Sequence, residues 1–324
     1  MSSEELAKFF EICGVVLFDS ALGTALQEAG QPQGARSEDM NISAPEIVLE
    51  IHKKNIIAGS DVITSNTFGV SPLLLRDAGI TDGVDPLETL EAGVRIARQA
   101  ADYTSSYDSS THVGAAFCRP HPAPLVALCI GPTGALFEPF GDVPYETAEE
   151  LFAIQAEAGA RCGADFIMLE TFADGEEFAL AARAAKTASP LPVIGTMTFD
   201  ASGYTFMGST PGDVIRIARE QGLFAVGANC TLDPAEMFPI ASALTDEGIH
   251  PNTPAKLHIL IQPNAGQPIY ANGQTTYGMS TEGFATAAET LINLGISAIG
   301  GCCGTTPAMI SALRGIIDKR RNLL

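Results

Sequence analysis

Three cysteines dominate what this sequence could do chemically. Cys302 and Cys303 are adjacent in the run Ile299-Gly300-Gly301-Cys302-Cys303-Gly304-Thr305-Thr306-Pro307, and Cys230 closes the apolar run Val226-Gly227-Ala228-Asn229-Cys230 well upstream. Three thiolates around one ion with a position left open suit zinc, which takes soft ligands and has no redox chemistry. A substrate thiol entering the open position would be deprotonated there. Thiolate is the nucleophilic form of sulfur, so the chemistry expected is alkyl transfer to a thiol. Vicinal cysteines can also be inert, or can pair as a strained disulfide under oxidation. The third thiol at a second strand end favours the metal.

Those thiols must be brought together by the elements around them. Short apolar runs suggest strands at Val15–Asp19, Asp61–Ser65, Leu125–Ile130, Asp165–Leu169, Pro192–Thr198, Phe224–Asn229, His258–Gln262 and Ser297–Gly301. Continuous apolar runs are expected of parallel strands buried on both faces. Between them lie helical patterns at Glu46–Ala58, Thr147–Gly163, Asp213–Gln221, Asp233–Thr245, Thr281–Leu294 and Pro307–Lys319. Pro45 and Gly59 punctuate the first of these, and Thr306 is the expected N-cap of the last. Such β-then-α alternation predicts an α/β fold, a single (β/α)8 TIM barrel, with residues 1–324 as one domain. No G-x-G-x-x-G follows the first strand, which argues against a dinucleotide-binding sheet. Thr104–Pro124 and Gly248–Ala255 read as loops.

In such barrels the site lies on the loops that follow the strands. Here those positions carry Asp19-Ser20-Ala21, Ser65-Asn66-Thr67-Phe68, Gly131-Pro132-Thr133-Gly134, Glu170-Thr171-Phe172, Asn229-Cys230, Pro263-Asn264-Ala265-Gly266 and the paired cysteines. Polar, acidic and thiol groups thus gather at one rim. Glu170 ends an apolar strand, where an unpaired carboxylate is costly and a cationic ligand group is a natural partner. Asp19 could alternatively cap a turn, and Asn66, Asn229 and Asn264 could satisfy loop backbone. Cys13, Cys118, Cys129 and Cys162 read as small buried or loop residues. None of the five histidines receives a role.

Composition narrows the partners. A net charge of −20 repels nucleic acid and anionic membranes at long range. No apolar run reaches about 18 residues, and Met1-Ser2-Ser3-Glu4-Glu5 lacks the basic start of a secretory signal. An odd count of seven cysteines fits a reducing, cytoplasmic setting.

The Cys-Cys-Gly-Thr-Thr-Pro run, Gly227-Ala228-Asn229-Cys230, Pro263-Asn264-Ala265-Gly266, Ile130-Gly131-Pro132-Thr133-Gly134, Glu170-Thr171-Phe172 and Ser65-Asn66-Thr67-Phe68 together resemble the homocysteine S-methyltransferase family. The resemblance runs from about residue 15 to 318 and is closest to the homocysteine-binding module of cobalamin-dependent methionine synthase. It implies a catalytic Zn2+ on Cys230, Cys302 and Cys303, with homocysteine as substrate and methionine as product. It further implies that Asp19 and Glu170 receive the substrate ammonium and that Ser20, Ala21, Asn66 and Thr67 line its binding site. Backbone groups near Ser20, Ala21 and Thr67 would hold the carboxylate.

Two positions depart from the family pattern. Ser20 stands where Gly usually follows the first Asp, and Met309 stands where His is common. Folate, cobalamin and reactivation modules are not among these residues. The methyl donor is therefore expected to arrive separately, as a methylcorrinoid, free or on a corrinoid protein. Betaine or S-methylmethionine donors, with homocysteine or selenocysteine as acceptor, are the alternative. A zinc-binding barrel without catalysis is a further one. The absence of Trp and the presence of only six Tyr weigh slightly against an aromatic cage for a cationic donor.

Overall fold

Strand formation follows the apolar runs closely. A computed structural model describes residues 1–31, 35–76, 85–105, 123–248, 257–271 and 274–321. The strands are β1 (Val16–Leu17), β2 (Val62–Thr64), β3 (Leu125–Ile130), β4 (Phe166–Phe172), β5 (Val193–Met197), β6 (Ala225–Asn229), β7 (His258–Gln262), β8 (Pro268–Ala271), β9 (Gln274–Tyr277) and β10 (Ala298–Ile299). All but β8 and β9 join one eight-stranded sheet in the order β1-β10-β7-β6-β5-β4-β3-β2, with every pairing parallel. With helices between the strands this is the expected (β/α)8 TIM barrel.

The seam between β1 and β2 is closed by aspartates instead of a strand ladder. Asp61 donates its N–H to Leu17 O (2.7 Å), and its carboxylate accepts from Leu17 N (2.9 Å) and from the buried Arg314 guanidinium (3.1 Å). One turn higher, Asp19 accepts from Thr64 N (2.9 Å) and Thr64 Oγ1 (3.0 Å).

Alternation along the strands sorts side chains into two cores. Val16, Phe18, Val62, Leu125, Ala127, Phe166, Met168, Ile194, Ala225, Leu260 and Ala298 pack together inside the barrel. Ile167, Leu169, Leu128 and Ile130 face the surrounding helices instead. This is the period-two rule of a strand buried on both faces. Leu6, Phe9, Phe10 and Cys13 join the interior cluster from the helix Ser3–Cys13, which plugs the bottom of the barrel. That helix opens on a Ser2–Glu5 capping box.

The expected helices are present with shifted ends. Tyr145–Arg161 stops one residue before Cys162, so that thiol is half-buried just past the helix and not within it. Pro307–Arg321 has Met309 N–H donating to Thr306 Oγ1, as the expected cap requires. Two further helices, Pro86–Ser105 and Gly175–Ala188, cover the barrel between the sequence-read ones. Residues 106–122 and 249–256 of the expected loops, with Cys118, His112, His121 and His250, lie outside the described residues. Among the described residues no helix is long and apolar enough to cross a membrane.

Candidate active site

The period-two alternation has a chemical consequence at the upper ends of the strands. One step above the apolar layers, the interior positions become Thr64, Cys129, Glu170, Asn229 and Gln262. These five, together with Asp19 and the three predicted cysteines, line a cavity of ≈ 370 Å³, Asn229 excepted, which lies just beneath it and is fully buried. Among the described residues no Lys, Arg or His lines that cavity.

The sulfurs of Cys230, Cys302 and Cys303 all lie within 4.8 Å of one another, and Cys230 Sγ is 3.8 Å from Cys303 Sγ. Irregular backbone makes this possible. Cys230 and Thr231 both adopt positive φ (63° and 58°), which costs non-glycine residues energy and turns the Cys230 side chain out of the strand direction. Cys302 N–H donates to Pro263 O (2.8 Å), and Cys303 O accepts from Ala265 N (2.9 Å), so the Pro-Asn-Ala-Gly loop after β7 splints the cysteine pair. Thr305 Oγ1 binds Cys302 O (2.7 Å) and accepts from Ala21 N (3.0 Å), tying the turn to the loop after β1. Gly304 sits at φ 77°, and a Cβ there would strike the Tyr277 ring. Tyr277, from the β8–β9 hairpin, stands beside the Cys303 sulfur and helps to lower its pKa.

The donor set fits a zinc ion. Tetrahedral zinc with Zn–S bonds of about 2.3 Å places its sulfurs ~3.8 Å apart, the separation of Cys230 and Cys303. Charge points the same way. Hydrogen bonds from Cys230 and then Cys302 hold the Cys303 thiol far below the usual thiol range. Cys302 is pushed well up, first by its hydrogen bond with Cys230 and then by that with Cys303. Three thiols here can shed one proton readily, and ionising all of them calls for a cation in their midst.

Two acids line the same cavity as the sulfurs. Burial pushes Asp19 from the usual 3.8 to about 7, against the pull of its Thr64 hydrogen bonds. Glu170 is raised chiefly by burial, opposed by a hydrogen bond from Cys129. Glu170 precedes Thr171, another non-glycine residue at positive φ (59°). Asn229 clamps that residue, accepting from Thr171 N (3.1 Å) and donating to Thr171 Oγ1 (2.6 Å). The same amide group lies 3.8 Å from Cys302 Sγ. Asn229 thus couples the acid-bearing strand end to a metal-ligand candidate.

The remaining predicted residues line the cavity but are already engaged. Ser20 donates both N–H (3.0 Å) and Oγ (2.7 Å) to Asn55 Oδ1, so its hydroxyl is turned away from the cavity. Ala21 N–H is held by Thr305, and Thr67 N–H by Ser65 O (2.9 Å). Asn66 donates to Ser37 O (2.7 Å) and Asn41 Oδ1 (2.9 Å), a loop-fastening role. Met309 is buried in the outer core.

Sequence reasoning missed Cys129, Gln262, Glu38 and Tyr277. The first two were accessible through alternation from Leu125, Ala127 and Leu260. Glu38, buried on the cavity wall and accepting from Gly69 N (2.7 Å), gave no local signal. Tyr277 gave none either.

A single barrel whose cavity brings together three thiols able to hold a metal ion and two acids sets the class of site. The profile of the homocysteine S-methyltransferase family matches residues 16–317, and the chain belongs to that family. It is 29% identical over 309 residues to a methionine synthase of Mycobacterium tuberculosis, covering 91% of this chain and 24% of that protein. A methionine synthase of Mycobacterium leprae is 28% identical, with 94% and 24% covered. The chain therefore spans about a quarter of the length of these curated relatives. The fold matches the homocysteine methyltransferase MmuM from Escherichia coli in its metallated form, at 22% identity, TM-score 0.70, with 93% of this chain and 96% of that one covered.

Proposed function

We propose that this chain moves a methyl group from a donor to the thiolate of homocysteine, giving methionine, with zinc held by Cys230, Cys302 and Cys303. The observation that carries this reading is the cavity itself: three sulfurs within 4.8 Å of one another, Asp19 and Glu170 lining the same space, and no basic side chain among the described lining residues. Zinc bound there would supply Lewis acidity that keeps a substrate thiol ionised. Asp19 and Glu170 accept hydrogen bonds from the substrate ammonium, which fixes the distance from that ammonium to the reacting sulfur. The barrel floor of Val16, Leu125, Phe166 and Leu260 keeps water from beneath. In the transfer, the sulfur–methyl bond forms as the donor–methyl bond breaks, its electron pair leaving with the donor and the thiol proton passing to solvent.

A methylcorrinoid is the donor we favour, free or carried by a corrinoid protein, because the motifs look most like those of cobalamin-dependent methionine synthase and the curated relatives carry the name methionine synthase. A cationic sulfonium or ammonium donor is the second reading, favoured by the acidic, base-free cavity. Anaerobic incubation of zinc-loaded protein with homocysteine and methylcobalamin tests this directly. Demethylation followed by absorbance, with matching methionine, supports the corrinoid route. Homocysteine binding without turnover moves the donor to the cationic class or to a protein-held corrinoid. No homocysteine binding at all overturns the substrate assignment.

A further inference from the structure

Cys129 looked from sequence like a small core residue, and it is 1% exposed. Its thiol nevertheless reaches the cavity. Leu125, Ala127 and Cys129 alternate onto the interior face of β3, and Phe166, Met168 and Glu170 do so on β4. The neighbouring register pairs Cys129 with Met168, so the thiol stands diagonally across from Glu170. Cys129 Sγ donates to Glu170 Oε2 at 2.9 Å. Among the described residues it is the one hydrogen-bond donor to that carboxylate, and no cation on the cavity wall competes with it.

The thiol is itself held firmly. Cys129 N–H donates to Ser65 Oγ (3.1 Å), and Cys129 O accepts from Thr67 Oγ1 (2.6 Å). Ser65 and Thr67 hydroxyls are linked in turn (2.8 Å). Below Glu170, the clamp of Asn229 on Thr171 fixes the main chain, which leaves the carboxylate's rotation as the freedom to be removed. Burial, then Glu170, pushes the Cys129 thiol well up, so it stays an S–H donor.

We propose that Cys129 is a positioning residue: its thiol occupies Glu170 Oε2 and so aims Oε1 at the ammonium of the amino-acid substrate. The assignment rests on the homocysteine reading above. A carboxylate with one oxygen tethered presents the other in a defined direction, whereas an untethered one must be ordered at the moment of binding. Serine can replace the donor, and alanine cannot.

The test measures homocysteine affinity by calorimetry on zinc-loaded protein without a methyl donor. Wild type is compared with Cys129→Ala, Cys129→Ser, Glu170→Gln and the Cys129→Ala/Glu170→Gln double variant. Losing one such hydrogen bond should weaken homocysteine binding about fivefold in Cys129→Ala, with zinc content unchanged and with affinity largely recovered in Cys129→Ser. The penalty should vanish in the Glu170→Gln background. It should also vanish for 4-mercaptobutanoate, which lacks the amino group. Unchanged affinity in Cys129→Ala, or the same penalty with Glu170→Gln or with 4-mercaptobutanoate, overturns the positioning role while leaving the functional reading standing. A wild-type protein that binds no homocysteine overturns the functional reading and this assignment together.

Discussion

Replacing Asp19 by Asn should stabilise the ligand-free protein and weaken substrate binding, and the two effects have one cause. Asp19 is 4% exposed, and among the described residues no cation lines its cavity; its oxygens accept from Thr64 N and Thr64 Oγ1. Burial therefore raises its carboxyl from 3.8 to about 7. A raised folded pKa means that the carboxyl's contribution to stability is complete below about pH 4, where folded and unfolded forms are both protonated. Between about pH 4 and 7 the unfolded chain ionises while the folded one resists, so stability falls. Above about 7 the loss is complete, at about 4 kcal/mol for a displacement of this size. Asn at this position keeps the shape, accepts from Thr64 N through Oδ1, and donates from Nδ2 to a Thr64 hydroxyl that simply reverses its role. Asp19→Asn should thus unfold at a higher temperature than wild type at pH 8, by up to ~8 °C at about 2 °C per kcal/mol. The advantage should shrink toward zero near pH 4. The cost falls on function, because a neutral amide cannot replace a charged acceptor for an ammonium. Homocysteine affinity at pH 8 should drop about 10- to 150-fold. Thermal melts across pH 4–8, paired with calorimetric titration of homocysteine, measure both. An Asn variant that is less stable at pH 8, or whose advantage does not change with pH, would refute the reasoning about burial. One that binds homocysteine normally would remove Asp19 from the substrate site.

Other outcomes follow from the same geometry. Cys230→Ser, Cys302→Ser and Cys303→Ser should each lose zinc and turnover together, as read by metal analysis and methionine formation; full activity in any one of them breaks the triad. Gly304→Ala puts a side chain at φ 77° against the Tyr277 ring, so it should cost about 1–3 kcal/mol and loosen zinc. Gly315→Ala, where a methyl meets nothing within 4 Å, is the control in the same zinc titration. Arg314→Ala removes the buried cation facing Asp61 at the barrel seam and should lower stability in urea by about 3–5 kcal/mol. A loss under 1 kcal/mol there would show that the seam does not depend on that pair.

The barrel was legible because its strands are short apolar runs between amphipathic helices, and that pattern survives without tertiary information. Elements outside the repeat were harder. The β8–β9 hairpin has no apolar run to announce it, yet it supplies Tyr277 to the thiol site. The first helix, opened by the Ser2–Glu5 capping box, was not among the helices expected from sequence, and nothing local says that its Leu6, Phe9 and Phe10 would close the barrel floor. The site divided in the same way. Cysteines and strand-end acids are recognisable by residue type, whereas Cys129, Gln262 and Glu38 matter through what they face, which only alternation or three-dimensional proximity reveals. The departure at Ser20 also needed structure, since its hydroxyl belongs to Asn55 and not to the cavity.

Backbone strain ties these pieces into one argument. Thr171, Cys230 and Thr231 are the non-glycine residues at positive φ among those described, and all three lie at the ends of β4 and β6. Each such conformation costs on the order of 1–3 kcal/mol and persists only where its surroundings over-determine it. Here they do: Asn229 holds Thr171 from both sides, Gln262 O holds Cys230 N (3.1 Å), and the Thr198 and Thr231 hydroxyls are linked (2.6 Å). A strand continuing in regular geometry would send the side chain after Asn229 toward the helices, because Asn229 itself faces inward. The left-handed turn at Cys230 instead brings its sulfur to 3.8 Å from Cys303. The left-handed residue Thr171 falls in the register shift of β4 between Leu169 and Phe172, and Glu170 in that irregularity presents its carboxylate to the cavity. Strain at two strand ends is therefore what converts period-two strands into a site that brings sulfur and an acid to one cavity. Asn229, which touches both, is the residue that keeps them in register.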